Sequence, residues 1–157
     1  MQIIDNFLSD NDFKSIQSLL TGSYFPWYFQ DGIASIHEDN KYQFCHTFFD
    51  NEKINSCDFD NLYCFFEKLN MKKLKRVKAN LRPKTAVPEF GGFHIDFKDK
   101  ITSIFYVNSN NGKTLFEDGK EVDSIENRMV IFDSNLIHQG ISCTDAKNRI
   151  VINFNYE

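Results

Sequence analysis

The chain has 157 residues, 41% of them hydrophobic and 25% charged, which excludes a disordered segment and suits one folded domain with its own core. A net charge of −4 weighs against a dedicated nucleic-acid binder. No apolar run reaches the length of a membrane span. The start, MQIIDNFLSD, lacks the charged segment and apolar run of a secretory signal. The cysteines at 45, 57, 64 and 143 show no CxxC spacing, so reduced thiols in a cytoplasmic protein are expected. The 17 phenylalanines offer large apolar side chains of the kind that fill a barrel or sandwich.

In chain order, residues 3–8 read as a short strand leading into a helix. Ser9 and Asp12 form a capping pair ahead of Phe13, Ile16, Leu19 and Leu20 at helical spacing. Tyr24–Phe29, interrupted by Pro26, is extended, and Tyr42–Phe49 alternates as a strand does. Residues 58–70 place Phe59, Leu62, Phe66 and Leu69 on one helical face. Short β-type runs then follow: Leu74–Arg82, Phe93–Asp96, Ile101–Val107, Lys113–Phe116, Arg128–Phe132, His138–Cys143 and Arg149–Tyr156. Turn signals such as Asn110-Asn111-Gly112 and Asp118-Gly119 separate them. The pattern predicts a mainly β, α+β protein. Its core is a sandwich or jelly roll over 74–157, with helical support and first strands over 1–73, the whole being a single domain.

Basic residues cluster at Lys72, Lys73, Lys75, Arg76, Lys78, Arg82 and Lys84. They read as a solvated helix end running into a strand, or as a rim that attracts an acidic or phosphate-bearing substrate.

The chemistry-bearing segment is GGFHIDF at 91–97. Side chains two apart on a strand share a face, so His94 and Asp96 are placed to grip one metal ion. His138, in LIHQG, supplies a second imidazole. Two histidines and one carboxylate on one face of a metal leave the remaining positions open for a cosubstrate and dioxygen. Arg149 follows across a hairpin turn expected at Thr144–Lys147. In the last strand Arg149, Val151 and Asn153 share one face, and Ile150, Ile152 and Phe154 the other. A buried guanidinium needs an anion, either a protein carboxylate or a dicarboxylate cosubstrate.

His94-Ile-Asp96, His138 and Arg149 resemble the iron and cosubstrate signature of the 2-oxoglutarate/Fe(II)-dependent dioxygenases, and most of all their prolyl 4-hydroxylase-like branch, including small phage and marine bacterial members. ITSIFYVN (101–108) is similar to the family strand after HxD, which maps a cosubstrate-holding tyrosine onto Tyr106, with Thr102 on the same strand face. NRMVIFDSNLIHQG (127–140) resembles the segment entering the second iron histidine. The resemblance implies a double-stranded β-helix, with Fe(II) held by His94, Asp96 and His138 and 2-oxoglutarate anchored by Arg149. Ascorbate is admitted as an additional cofactor. Hydroxylation of an unactivated C–H, with release of succinate and carbon dioxide, is the implied reaction. Where many relatives carry a tyrosine on the strand before HxD, this chain reads RVKANLRP, with Asn80 as the nearest polar residue lining the pocket.

The implied substrate is a small molecule or a peptidyl group, with a prolyl residue or amino acid favoured, and nucleic acid and membrane are not expected partners. Other readings are a nucleobase-demethylating oxygenase of the same superfamily, a cupin-like metal isomerase or hydrolase, and a non-catalytic binding or structural jelly roll. Of the remaining histidines, His37 reads as solvated and His46 as structural. Cys143 reads as packing. Trp27 belongs to a substrate rim or to the core. Gly91 and Gly92 belong to a loop at the pocket mouth or to plain turns.

Overall fold

A computed structural model of the chain describes residues 1–33 and 41–157. His37 lies outside the described residues. The strands are β1 (Gln2–Ile4), β2 (Tyr28–Asp31), β3 (Tyr42–Asp50), β4 (Lys53–Ile54), β5 (Leu74–Pro83), β6 (Ile101–Tyr106), β7 (Lys113–Phe116), β8 (Glu121–Asp123), β9 (Arg128–Asp133), β10 (His138–Ile141) and β11 (Asn148–Tyr156). Among the described residues two helices, α1 (Asp10–Thr21) and α2 (Tyr63–Leu69), interrupt them, with a 3-10 turn at Phe59–Leu62 leading into α2.

Helix α1 starts where the sequence places a cap. Ser9 Oγ accepts from the Asp12 backbone N–H at 3.2 Å, satisfying one of the free donors of the first turn. Its buried face is Ile16 and Leu20. α2 ends at Asn70, which adopts a left-handed conformation (φ 46°) that asparagine tolerates at a helix end.

Among the described residues eight strands form one antiparallel sheet in the order β1-β9-β6-β11-β5-β3-β2, with β4 beside β3. Three more form a second sheet, β10-β7-β8. Strand alternation separates two apolar layers. One side of the large sheet packs Val77, Ala79, Phe105, Ile150, Ile152 and Phe154 against Ile16 and Leu20 of α1 and Phe65 of α2. The other side packs Ile104, Tyr106, Val130, Phe132 and Val151 against Phe116 and Val122 of the small sheet. The fold is a jelly roll with helices on one sheet, one of the two architectures the residue pattern allows and the one the family resemblance implies. No helix among the described residues is long and apolar enough to cross a membrane.

Three local expectations need correction. Residues 93–96 form no strand; a single antiparallel bridge joins His94 to His138 in their place. The segment between β10 and β11 is no hairpin, because β10 pairs with β7 whereas β11 pairs with β5 and β6. It carries the chain from the small sheet to the large one. Residues 3–8 contribute only the end of β1, whose strand stops at Ile4. Alternation alone carries no information about which sheet a strand joins.

Candidate metal and cosubstrate site

The cavity between the sheets is built by the pleat of β5 and β11. Arg149 lies opposite Arg82, Val151 opposite Asn80, Asn153 opposite Lys78, and Asn155 opposite Arg76. Because Val77, Ala79, Ile150 and Ile152 fill the helix-side core, the intervening residues face the other way. Arg76, Lys78, Asn80, Arg82, Arg149, Val151 and Asn153 line a cavity of about 190 Å³, together with His94, Asp96, Thr114 and His138. The basic run therefore divides. Arg76, Lys78 and Arg82 turn inward, whereas Lys73 and Lys75 pair with Glu52 and Glu157 near the surface.

His94, Asp96 and His138 converge at one end. Each offers a ligand atom, and these atoms lie within 4.8 Å of one another. Reciprocal backbone bonds of 3.0 Å between His94 and His138 hold the two residues face to face, with ring centroids 4.8 Å apart. Nδ1 of His94 lies 3.0 Å from the Gly92 carbonyl, and Nδ1 of His138 lies 3.0 Å from the Leu136 carbonyl. A carbonyl only accepts, so each Nδ1 carries the proton and each Nε2 lone pair is free for a cation. Gly92 has φ 84°, a conformation that a side chain at this position would strain. Burial holds the His138 pKa below its ordinary value, which favours the neutral imidazole a metal requires.

Asp96 is fixed from two sides. Arg76 Nη2 donates to Oδ1 at 2.9 Å and Asn155 Nδ2 to Oδ2 at 3.2 Å. Burial pulls the carboxyl pKa upward, but Arg76 foremost, then His138, Asn155 and His94, outweigh it and hold the group below its ordinary value. Arg76 also donates from Nε to Asn155 Oδ1 at 3.2 Å and stacks on Phe97 at 5.0 Å. Residue type alone suggested neither Arg76 nor Asn155 for this place. Their part depends on one cross-strand pair.

At the other end, Arg149 is buried and donates from Nε to Ser124 Oγ at 2.9 Å and from Nη2 to Thr114 Oγ1 at 3.1 Å. Its guanidinium lies over the Tyr106 ring at 5.6 Å. No carboxylate among the described residues forms an ion pair with it, so neither Asp nor Glu among them is its anion partner. Burial depresses its pKa, with Tyr106 and Cys143 acting in the opposite direction. Gly112 makes room: a Cβ there would stand 2.7 Å from Arg149 Cδ. The donor set thus suits both groups, with a His/Asp/His cluster for a divalent cation and an unmatched guanidinium for a carboxylate.

Asn80 lines the cavity. Tyr106 and Thr102 do not; both are fully buried and bond to neighbouring side chains. The Tyr106 hydroxyl donates to Thr114 at 2.7 Å, and Thr102 Oγ1 accepts from Asn155 Nδ2 at 3.0 Å. Asn108 lies off the site, accepting the Ile150 N–H at 2.9 Å and donating to the Asn148 carbonyl at 2.9 Å. His46 is buried beside Phe25 and Phe48, where its Nδ1 donates to the Pro26 carbonyl at 2.8 Å. Cys143 is buried. Trp27 packs on Phe25 against the helix-side core.

No protein-family model and no curated protein matches this sequence. Among solved structures the chain is similar to a prolyl hydroxylase from Trichoplax adhaerens, in complex with a hypoxia inducible factor oxygen degradation domain peptide fragment. The TM-score is 0.72 at 14% identity, covering 99% of this chain and 82% of that one. It is similar also to an oxidoreductase of the 2OG-Fe(II) oxygenase family from Burkholderia pseudomallei, with TM-score 0.66 at 12% identity over 94% of this chain and 79% of that one. A Pseudomonas putida prolyl-4-hydroxylase gives a TM-score of 0.59 at 12% identity, with 99% and 91% covered. At such identities the likeness establishes a shared fold, and chemistry has to be argued from the site.

Proposed function

We propose that this chain is an Fe(II)- and 2-oxoglutarate-dependent oxygenase. The reading rests on one observation: a His94/Asp96/His138 cluster and a buried Arg149 with no carboxylate partner among the described residues line one cavity. The fold it shares with a prolyl hydroxylase and a 2OG-Fe(II) oxygenase supports the same reading.

His94 Nε2, His138 Nε2 and an Asp96 oxygen would hold the iron. Fe(II) and 2-oxoglutarate, when bound, supply dioxygen activation: one oxygen atom enters a substrate C–H as a hydroxyl, and the other enters succinate as carbon dioxide leaves. The protein's part is orientation. The two backbone carbonyls that bind Nδ1 fix both imidazole rings and their tautomers. Arg76 and Asn155 prevent the Asp96 carboxylate from rotating. Arg149 receives the distal carboxylate, while Ser124 and Thr114 hold the guanidinium plane. Tyr106 keeps the Thr114 hydroxyl aimed at Arg149, so it acts as a positioning residue. Ile104 and Val151 give the cavity a dry wall, which strengthens every charge interaction inside it.

Purified protein supplied with Fe(II), 2-oxoglutarate, ascorbate and oxygen should release succinate, with loss of release in His94→Ala and His138→Ala. A protein that binds neither Fe(II) nor 2-oxoglutarate is no oxygenase of this kind.

A further inference from the structure

The cavity wall carries more polar side chains than iron and 2-oxoglutarate would use. Asp96 offsets Arg76 at 2.9 Å, and Arg82 donates to the Glu89 and Gly140 carbonyls. In the reading above, Arg149 takes the distal carboxylate of 2-oxoglutarate. Lys78 and Gln43 are left over. Lys78, half-buried, donates to the neutral Gln30 Oε1 at 2.7 Å and forms no ion pair with a carboxylate among the described residues. Leaving water without an anion is costly for an ammonium group. Gln43 is 6% exposed, and its side-chain amide forms no hydrogen bond among the described residues. Its two N–H donors and its oxygen are all without partners, which is costly for a buried amide.

These groups meet on one side of the cavity. The strand order there is β5-β3-β2, so Lys78 crosses β3 to reach Gln30 on the edge strand. Gln43 stands on β3, directly opposite Gln30 in the β2–β3 register. Side chains so paired share a face, with Cβ atoms about 5 Å apart. Lys78, Gln30 and Gln43 all line the cavity that also holds His94, Asp96 and His138. The Gln43 amide is not sealed in protein, because the one enclosed side-chain oxygen or nitrogen without a partner among the described residues is Asn153 Oδ1. Arg149 reaches the other way, from β11 to Thr114 of β7. A lone ammonium flanked by neutral amides matches a single negative charge. A carboxylate supplies that charge and two oxygens, one for the ammonium and one for an amide N–H.

From this we infer that the substrate is a small free carboxylic acid whose carboxylate accepts from the Lys78 ammonium and the Gln43 amide, with Gln30 holding the ammonium in place. Free amino acids and other monocarboxylic acids fit that description, and an internal residue of a neutral peptide does not. The inference rests on the oxygenase reading for the role of this acid as substrate. The Lys78–Gln30–Gln43 subsite itself is defined by the chain alone.

The test is ligand-observed NMR on the full chain loaded with Zn(II), using free L-amino acids and aliphatic and aromatic monocarboxylic acids, each set against its carboxamide. Every compound is measured with and without saturating 2-oxoglutarate, which occupies Arg149. Free acids should bind beside 2-oxoglutarate, and carboxamides should not. Lys78→Gln and Gln43→Leu should each weaken the binding about tenfold or more, the factor for one hydrogen bond to a charged group, and Lys78→Arg should restore most of the first loss. Equal binding of acid and carboxamide, displacement of the acids by 2-oxoglutarate, or no binding of any free acid overturns the inference. Unchanged affinity in either variant with a wild-type urea midpoint overturns it too. Should wild-type protein bind the free acids but not 2-oxoglutarate, the oxygenase reading fails and the subsite stands.

Discussion

Replacing Arg149 by lysine tests the anchor directly. The guanidinium commits Nε to Ser124 at 2.9 Å and Nη2 to Thr114 at 3.1 Å. Its planar fork still leaves Nη1 for an incoming carboxylate. A lysine ammonium is a point donor on a flexible stem, so it can follow the ligand or the two hydroxyls but cannot present the same plane to both. The loss should equal about one charge-assisted hydrogen bond, roughly 1.5–3 kcal/mol. That range weakens 2-oxoglutarate binding about 10- to 150-fold. Anaerobic calorimetric titration of 2-oxoglutarate into Mn(II)-loaded wild-type and variant protein measures it, with urea unfolding as a check on folding. Equal affinities in two equally folded proteins would refute the assignment of the distal carboxylate to Arg149.

Asn155→Ala removes the donor to Asp96 Oδ2 and the acceptor for Arg76 Nε, leaving the carboxylate held from one side. Metal affinity should fall about 10- to 100-fold in a competition titration, as for other outer partners of metal ligands. Phe65→Ala removes a fully buried ring that touches Phe7, Phe105 and Phe154. It should cost about 3–5 kcal/mol in urea unfolding without altering the ligand cluster.

Much of this fold is legible from local periodicity. The Ser9 cap, the α1 face and the alternating strands β3, β5, β6 and β11 depend on neighbours within one element, so residue order carries them. The short strands β4 and β8 are too brief to show a period. The α2 segment begins as a 3-10 turn and places Phe65 in the core alongside Leu69, with Phe66 only partly buried. A helical wheel drawn from residue 58 assigns that face to Phe66, because the 3-10 turn changes the rotation per residue before α2 begins.

By itself the sequence determined which residue types were available for chemistry: the HxD pair, the third ligand at 138, and an arginine alternating with aliphatics at 149. Ligand types and strand alternation are short-range properties, so order alone displays them. Tertiary structure decided what those residues meet. It turned the expected hairpin into a passage between sheets, set His94 against His138 through one bridge, and gave Arg149 the hydroxyls of Ser124 and Thr114 as partners. It also sorted the basic run by strand face, sending Lys75 to the surface ion pair with Glu157 and Lys78 into the cavity toward Gln30. Such pairings join residues far apart in the chain, and the register that creates them is selected by burying one whole face of β5 and β11 under the helices.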